Sequence, residues 1–449
     1  MLNLDGLNLA GTKLDSTIVR AVAGLGDGPL TEAGLVRHVH PLFSRTLERG
    51  RRTGEIYLAN HSLGRPLDMM ATDVARALDA WYAGQDEAWG PWFDEMQAYR
   101  AAIAQLIGCS RWDCVVPKTA AGQGLRAVLN ALPWRGSKPV VLTTAGEFDS
   151  IDFILRTYAQ RGEIELRWVP VREAAHGGAS LPTIDPQEVI ERIRTAHAPR
   201  LVVVSQVAFA TGQVVEGMSA IVREAHARGA MVMIDTYHSA GVMPVRFDAC
   251  GADFAVGGNY KYTRGGPGAC WLCVHPRHLT EVGSEAQPEL RTLDTGWFAK
   301  RDTFKYQRPE HPLLSGGGDA WLESTPAVLP FFQARSGLHL TLALGVERLR
   351  AYSLEQQGVL RDALAARGVQ VVPRPLETGG AFLLLRSERA QELCAELKRA
   401  GVNVDARGAF VRLCPDILTT RAEMEEAAGR IAGCLEASRK ADCADAARR

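Results

Sequence analysis

Lys261 lies in the run GGNYKYTRGGPG at 257–268, flanked by two tyrosines and set between two apolar stretches. An amine on a glycine-rich loop can condense with a carbonyl group and hold it covalently. A solvated lysine on a plain turn is the competing reading, and the commoner one for a lysine near glycines. The companions of Lys261 decide between them. Pyridoxal phosphate, the carbonyl cofactor such an amine suits, needs an amine, an acid for its ring nitrogen, a phosphate cradle and a flat apolar partner. Asp235 in VMIDTYH at 232–238 ends an apolar run, where a carboxylate could keep a pyridine nitrogen protonated. Taken alone it reads as the cap of a following helix. His238, three residues on, and Lys261, 26 residues on, favour the cofactor instead.

The remaining demands have weaker candidates. KTAAGQGL at 118–125 follows an apolar run and opens a helical pattern, so Thr119, Ala120 and the neighbouring amides could cradle a phosphate at a helix start. Ser205 and Tyr260 could add hydroxyl donors. Phe148 in GEFDS at 146–150, with Ser150 beside it, could cover a ring, although a phenylalanine there serves equally well as core. His238 could touch the cofactor, and a structural hydrogen bond is its ordinary alternative.

These residues need elements to place them. Short apolar runs at 114–117, 140–143, 165–169, 201–205, 231–235, 254–256 and 270–274 read as strands. Helical patterns at 122–132, 150–161, 186–196 and 218–228 fall between them. Such alternation predicts an α/β fold with a mostly parallel sheet covered on both faces, where ligands collect at the carboxyl ends of strands. Asp235 and Ser205 both fall at such ends. Three units are expected: a helical arm over 1–55, a large cofactor-binding domain over 56–312, and a smaller α+β domain over 313–449. In the last, strands are expected at 369–372, 381–385 and 409–412, with one long helix over 329–350 and a frayed tail from 437.

Lysine plus arginine equals aspartate plus glutamate at 51 each, which gives no support to a nucleic-acid or anionic-membrane partner. The start, MLNLDGLNLAGTKLDS, has no basic stretch followed by an apolar core, and the apolar runs are too short to span a bilayer. Nine cysteines scattered from 109 to 443 read as reduced thiols of a cytoplasmic protein. Cys270 and Cys273 have CxxC spacing but lie in an apolar run, and read as strand residues rather than as a metal or redox pair.

In order and spacing, five segments resemble the kynureninases, a group of class-V pyridoxal-phosphate enzymes of aspartate-aminotransferase fold type I. They are YLANHSLG at 57–64, SQVAFATGQ at 205–213, DTYH at 235–238, YKY followed by GPG at 260–268, and GW at 296–297, with Val411 and Arg412 near the end. The resemblance implies a seven-stranded large domain and a homodimer with the active site at the subunit interface. It implies that Lys261 holds the cofactor and acts as base at the substrate Cα. It gives Asp235 the ring nitrogen, and Tyr260 the phosphate and a proton-donating role. Thr119, Ala120, Ser150, Ser205 and His238 would complete the pocket, with Phe148 on the ring. Trp297 and Thr325 would reach the phosphate from the partner subunit. Arg412 would clamp the substrate carboxylate; without the resemblance it reads as a surface arginine at a strand end. His61 and Trp89 join it as substrate-side candidates, with core packing the alternative for Trp89.

The implied reaction is hydrolytic cleavage of an amino acid carrying a γ-carbonyl, as in tryptophan catabolism, giving alanine and an acid such as anthranilate. The chain departs from the pattern where Asp149 follows Phe148 directly and where Thr325 replaces an asparagine. Those departures keep an aminotransferase, epimerase or β-lyase open as the alternative. A desulfurase would need a mobile cysteine, and none lies between Cys273 and Cys394.

Overall fold

The large sheet is built from seven strands: β1 (Val115–Lys118), β2 (Val140–Thr144), β3 (Glu165–Val169), β4 (Pro199–Ser205), β5 (Met231–Asp235), β6 (Phe254–Gly258) and β7 (Cys270–Val274). Their order across the sheet is β1-β7-β6-β5-β4-β2-β3. Every pairing is parallel except those of β7, which runs antiparallel to β1 and to β6. The structure, a computed structural model, describes residues 14–132, 138–176 and 179–446. Most of the amino-terminal stretch lacking a signal pattern, and residues 447–449 of the tail, lie outside the described residues.

Alternation along each strand feeds two cores. Leu142, Val202, Val204, Val232, Ile234 and Trp271 pack on one face of the sheet. Val141, Leu201, Val203, Met233, Val256 and Leu272 pack on the other. Burial on both faces explains why the inner strands are nearly continuously apolar, while β3 at the edge alternates charged and apolar residues. Each large apolar side chain buried there contributes about 1.5–3 kcal/mol. The helices between strands match their expected positions; α1 (Ala121–Leu129) and α2 (Asp149–Gln160) both begin at the carboxyl ends of strands.

The carboxyl-terminal part departs from expectation in three places. The long helix is two: α3 (Leu329–Leu344) and α4 (Val346–Ala365), broken at Gly345 with φ of 81°. The segment 369–372 is no strand: Val372 donates one backbone hydrogen bond to Leu384 (2.8 Å), and prolines at 373 and 375 stop further pairing. The tail is helical to residue 446, as the end of α5 (Arg421–Ala446). The three-stranded small sheet instead joins β8 (Leu383–Arg386), β10 (Phe410–Leu413) and β9 (Asp405–Arg407) in that antiparallel order.

The amino-terminal helices pack their apolar side chains, including Ile18, Leu35 and Phe43, against Leu340, Leu344 and Leu349 of α3 and α4. Ile56 and Tyr57 then pair in parallel with Val402 and Asn403. The chain thus passes along the carboxyl-terminal part before it reaches the large sheet. No helix among the described residues is long and apolar enough to cross a membrane.

Candidate active site

A cavity of about 620 Å³ opens at the carboxyl ends of β4 and β5. Ser205 and Asp235, the last residues of those strands, are register partners and both line it. Thr119 and Ala120 line it from the start of α1, and Phe148 and Ser150 from the start of α2. His238, Tyr260 and Lys261 close it. Nine positions expected from the sequence therefore meet in one space.

Lys261 is 5% exposed, and its Nζ shares a 2.7 Å hydrogen bond with Nε2 of His238. Burial pulls the amine down to about 7, against the opposing influence of Asp235. Burial also pushes His238 well below the usual histidine range, so its ring is neutral beside the amine. The rings of Tyr237, Tyr260 and Phe148 lie 4.9, 5.7 and 5.8 Å from Nζ. Asp235 accepts the Tyr237 N–H at 2.8 Å, and burial raises its carboxyl above the usual range.

The lysine loop is wedged in place. Gly64 donates to Tyr260 O at 2.7 Å, and a Cβ on Gly64 would lie 1.9 Å from Lys261 O. No larger residue fits there, which accounts for the glycine ending the 57–64 segment. A Cβ on Gly258 would lie 2.1 Å from the Tyr237 hydroxyl. Arg264 adopts φ of 57°, a costly conformation for a non-glycine residue. Its guanidinium holds the turn, donating to Tyr262 O and to Asp416 at 3.0 Å.

The site fits the cofactor by its own chemistry. An amine, a carboxylate, a helix start and an aromatic face line one cavity. Gln123 Oε1 already accepts from both the N–H (2.8 Å) and the hydroxyl (3.0 Å) of Thr119, so two donors converge on one oxygen at the helix start. Nδ1 of His238 is buried with no hydrogen-bond partner among the described residues, leaving an atom for a bound group to satisfy.

The substrate-side residues are placed differently. Arg412, on β10, is 2% exposed and does not line the cavity; it is no surface arginine. Its guanidinium forks onto Asp405 with two bonds of 2.6 Å and donates to Phe209 O at 2.5 Å. His61 adds a 2.8 Å bond to the same Asp405 and is fully buried. Trp89 stacks on Phe93 with centroids 5.3 Å apart, in an aromatic cluster away from the cavity. Trp297 donates to Thr325 at 3.3 Å. Thr325 borders a second cavity of about 200 Å³ that shares Thr119 and Gly268 with the first.

Three residues that sequence reasoning passed over line the cavity or hold candidate site residues. Tyr237 lies inside the DTYH segment and lines the cavity. Asp405 holds Arg412. Glu147, next to Phe148, is buried against Ser205. Nothing in their local sequence marks the last two. The hydroxyl of Ser205, expected to donate to a phosphate, is instead engaged by Glu147 at 2.5 Å.

A family model for class-V aminotransferases matches residues 87–294. Kynureninase from Xanthomonas oryzae pv. oryzae is 30% identical over 386 residues, 82% of this chain and 88% of its own. Kynureninase from Myxococcus xanthus is 28% identical over 368 residues, 78% of this chain and 83% of its own. Among solved structures, a cysteine desulfurase from Thermococcus onnurineus matches with a TM-score of 0.70 at 17% identity, covering 87% of this chain and 98% of its own. A cysteine desulfurase from Escherichia coli matches with a TM-score of 0.71 at 14% identity, covering 91% of this chain and 99% of its own. Identities that low carry the fold alone.

The fold is the α/β fold type I of pyridoxal-phosphate enzymes, and the cofactor is pyridoxal 5′-phosphate. The chain belongs to the class-V aminotransferase family and, within it, is similar to kynureninases.

Proposed function

We propose that the protein is a kynureninase-like hydrolase that cleaves the Cβ–Cγ bond of an amino acid carrying a γ-carbonyl. The observation that carries the reading is Lys261, a buried amine brought down to about 7 inside the cavity, in a chain similar to kynureninases over most of its length. When bound, the cofactor supplies an electron sink for charge developing at the substrate Cα and Cβ.

The chain's residues do the rest. Lys261 would hold the cofactor by its aldehyde and, as a free amine, would take the substrate Cα proton; an amine near neutrality suits both tasks. Asp235 would hold the ring nitrogen and keep it protonated. The neutral ring of His238 orients the amine without competing for its charge. Tyr260, in the same lining, would return a proton to Cβ. Water adds to the γ-carbonyl, the Cβ–Cγ bond breaks, Cβ gains a proton and Cγ leaves as a carboxylic acid. The products are alanine and an acid, anthranilate in the case of kynurenine. Arg412 takes the substrate carboxylate in this scheme, which requires Asp405 to release part of its fork.

A homodimer is part of the proposal. Trp81, Phe304 and Tyr306 are 56, 50 and 69% exposed around the aromatic cluster that holds Trp297, an apolar surface suited to a second copy. Sedimentation at micromolar concentration checks it, with a monomer as the contrary result.

The test of the reaction is incubation of the holoenzyme with kynurenine and 3-hydroxykynurenine, with alanine and the aryl acid measured by mass. Stoichiometric alanine and aryl acid support hydrolysis. Turnover of other amino acids to keto acids or epimers, with neither kynurenine used, favours the second reading. That reading draws on Thr325 and the altered segment after Phe148.

A further inference from the structure

The carboxyl of Glu147 is buried and receives protein hydrogen bonds on both oxygens. Oε1 accepts from the Thr144 hydroxyl at 2.7 Å and from the Ser205 N–H at 3.2 Å. Oε2 faces the Ser205 hydroxyl at 2.5 Å. Oε1 accepts from two donors, one of them a backbone N–H that cannot reverse, and Oε2 from one, so Oε2 is the favoured seat for a proton on this carboxyl, between Glu147 and Ser205. A serine hydroxyl has one proton to give. When Glu147 is ionised, Ser205 donates to Oε2 and turns only lone pairs to the cavity. When Glu147 is protonated, Oε2 donates to Ser205, and the serine proton is released toward the cavity.

We infer that Glu147 is a positioning residue that sets whether Ser205 offers the cofactor a hydrogen-bond donor or an acceptor. The inference rests on the cofactor and not on the reaction proposed above. An anionic ligand such as a pyridine phosphate gains from a donor and loses from an acceptor beside it. Burial pushes the Glu147 carboxyl up to about 7, against the bonds from Ser205 and Thr144. The choice is therefore made near neutral pH. The charged group facing Glu147 is Asp235, on the strand beyond Ser205, which opposes ionisation. Lys261 and His238 share the cavity lining, and Asp149 is exposed at the start of α2.

Glu147→Gln provides the test, because its amide oxygen accepts from Thr144 and Ser205 N–H while its NH₂ donates to Ser205. That variant holds the serine proton toward the cavity at every pH. The probe is pyridoxine 5′-phosphate, which has the ring and phosphate but no aldehyde, so Lys261 cannot condense with it. Binding to the apoenzyme is measured by equilibrium dialysis from pH 5.5 to 8.5, roughly bracketing the neutral range in which such buried carboxyls titrate. The ratio of wild-type to Glu147→Gln dissociation constants should be about one at the acid end and rise roughly tenfold at the alkaline end. Titration of Lys261, His238 and the probe is common to both proteins; that of Asp235 is coupled to Glu147, which is why Ser205→Ala is measured alongside. A ratio flat with pH overturns the inference. Ser205→Ala is the independent check, since it should lose the neutral-pH component of the wild-type binding curve even if Glu147→Gln folds poorly. Retention of that component in Ser205→Ala also overturns it. Failure of the wild type to bind the probe at any pH overturns the cofactor site and the inference with it.

Discussion

Two buried cations stand near the heart of this molecule, and they are held by opposite means. Lys261, on the loop after β6 of the large sheet, shares its hydrogen bond with a neutral imidazole, and burial lowers its affinity for a proton. Arg412, on β10 of the small sheet, is forked onto a carboxylate, donates to the Phe209 carbonyl and lies over the Phe382 ring. The pair with Arg412 and the bond from His61 hold the Asp405 carboxyl well below the usual range, despite its burial. The first arrangement makes a charge easy to lose; the second ties one to a counterion. A cation kept by a full counterion is built to orient, and one kept beside a neutral partner is built to react.

The largest effect expected of this contrast is at Lys261. Lys261→Ala should lower turnover by at least about a thousandfold and remove the visible absorbance of the bound cofactor. Retention of that absorbance would show that another amine holds the aldehyde. Next comes the ion pair. Asp405→Ala leaves the Arg412 charge buried without its carboxylate and should cost about 3–5 kcal/mol in urea unfolding. Adding Arg412→Met to that variant should recover part of the loss; no recovery would mean that Asp405 acts chiefly through His61.

A smaller effect follows from protons. The Lys261 amine stands at 10.5 ordinarily and at about 7 in the fold. Between those values the unfolded chain holds a proton that the folded chain does not. This group therefore makes the apoenzyme more stable as pH rises through that window, by up to about 1.4 kcal/mol per pH unit. Urea midpoints of wild type and Lys261→Met, compared from pH 7 to about 10, report it as a shallower pH slope in the variant. The smallest effect belongs to Thr325. Thr325→Asn, which restores an amide donor, should lower KM for kynurenine by roughly threefold, one hydrogen bond's worth, with kcat little changed. An unchanged KM would remove this residue from substrate recognition.

Much of the cofactor side could be read from the chain. Seven runs became the seven strands of the sheet, and those of the inner strands, buried on both faces, carry a signal that needs no partner to be recognised. Asp235 and Ser205 were legible as strand ends, and their parallel register brought them to one edge. The substrate side was less legible. Arg412 suggested a free clamp, and its fork is filled by Asp405 from the other strand of a tight hairpin. The expected strand at 369–372 has the right residues, but two following prolines leave its edge largely unpaired. The expected single helix breaks at Gly345, whose positive φ was available to it and not required by it.

The sequence by itself determined the strands, the helix starts and the types of residue that could serve a pyridoxal cofactor, since hydrophobic periodicity and side-chain chemistry are local properties. Only the tertiary structure decided which of those residues are free to act. Glu147 and Ser205 lie 58 positions apart, yet share one short hydrogen bond. Asp405 and His61 lie 344 positions apart, yet meet over Arg412. A hydrogen bond depends on separation in space to within a few tenths of an ångström, and no pattern along the chain encodes that distance.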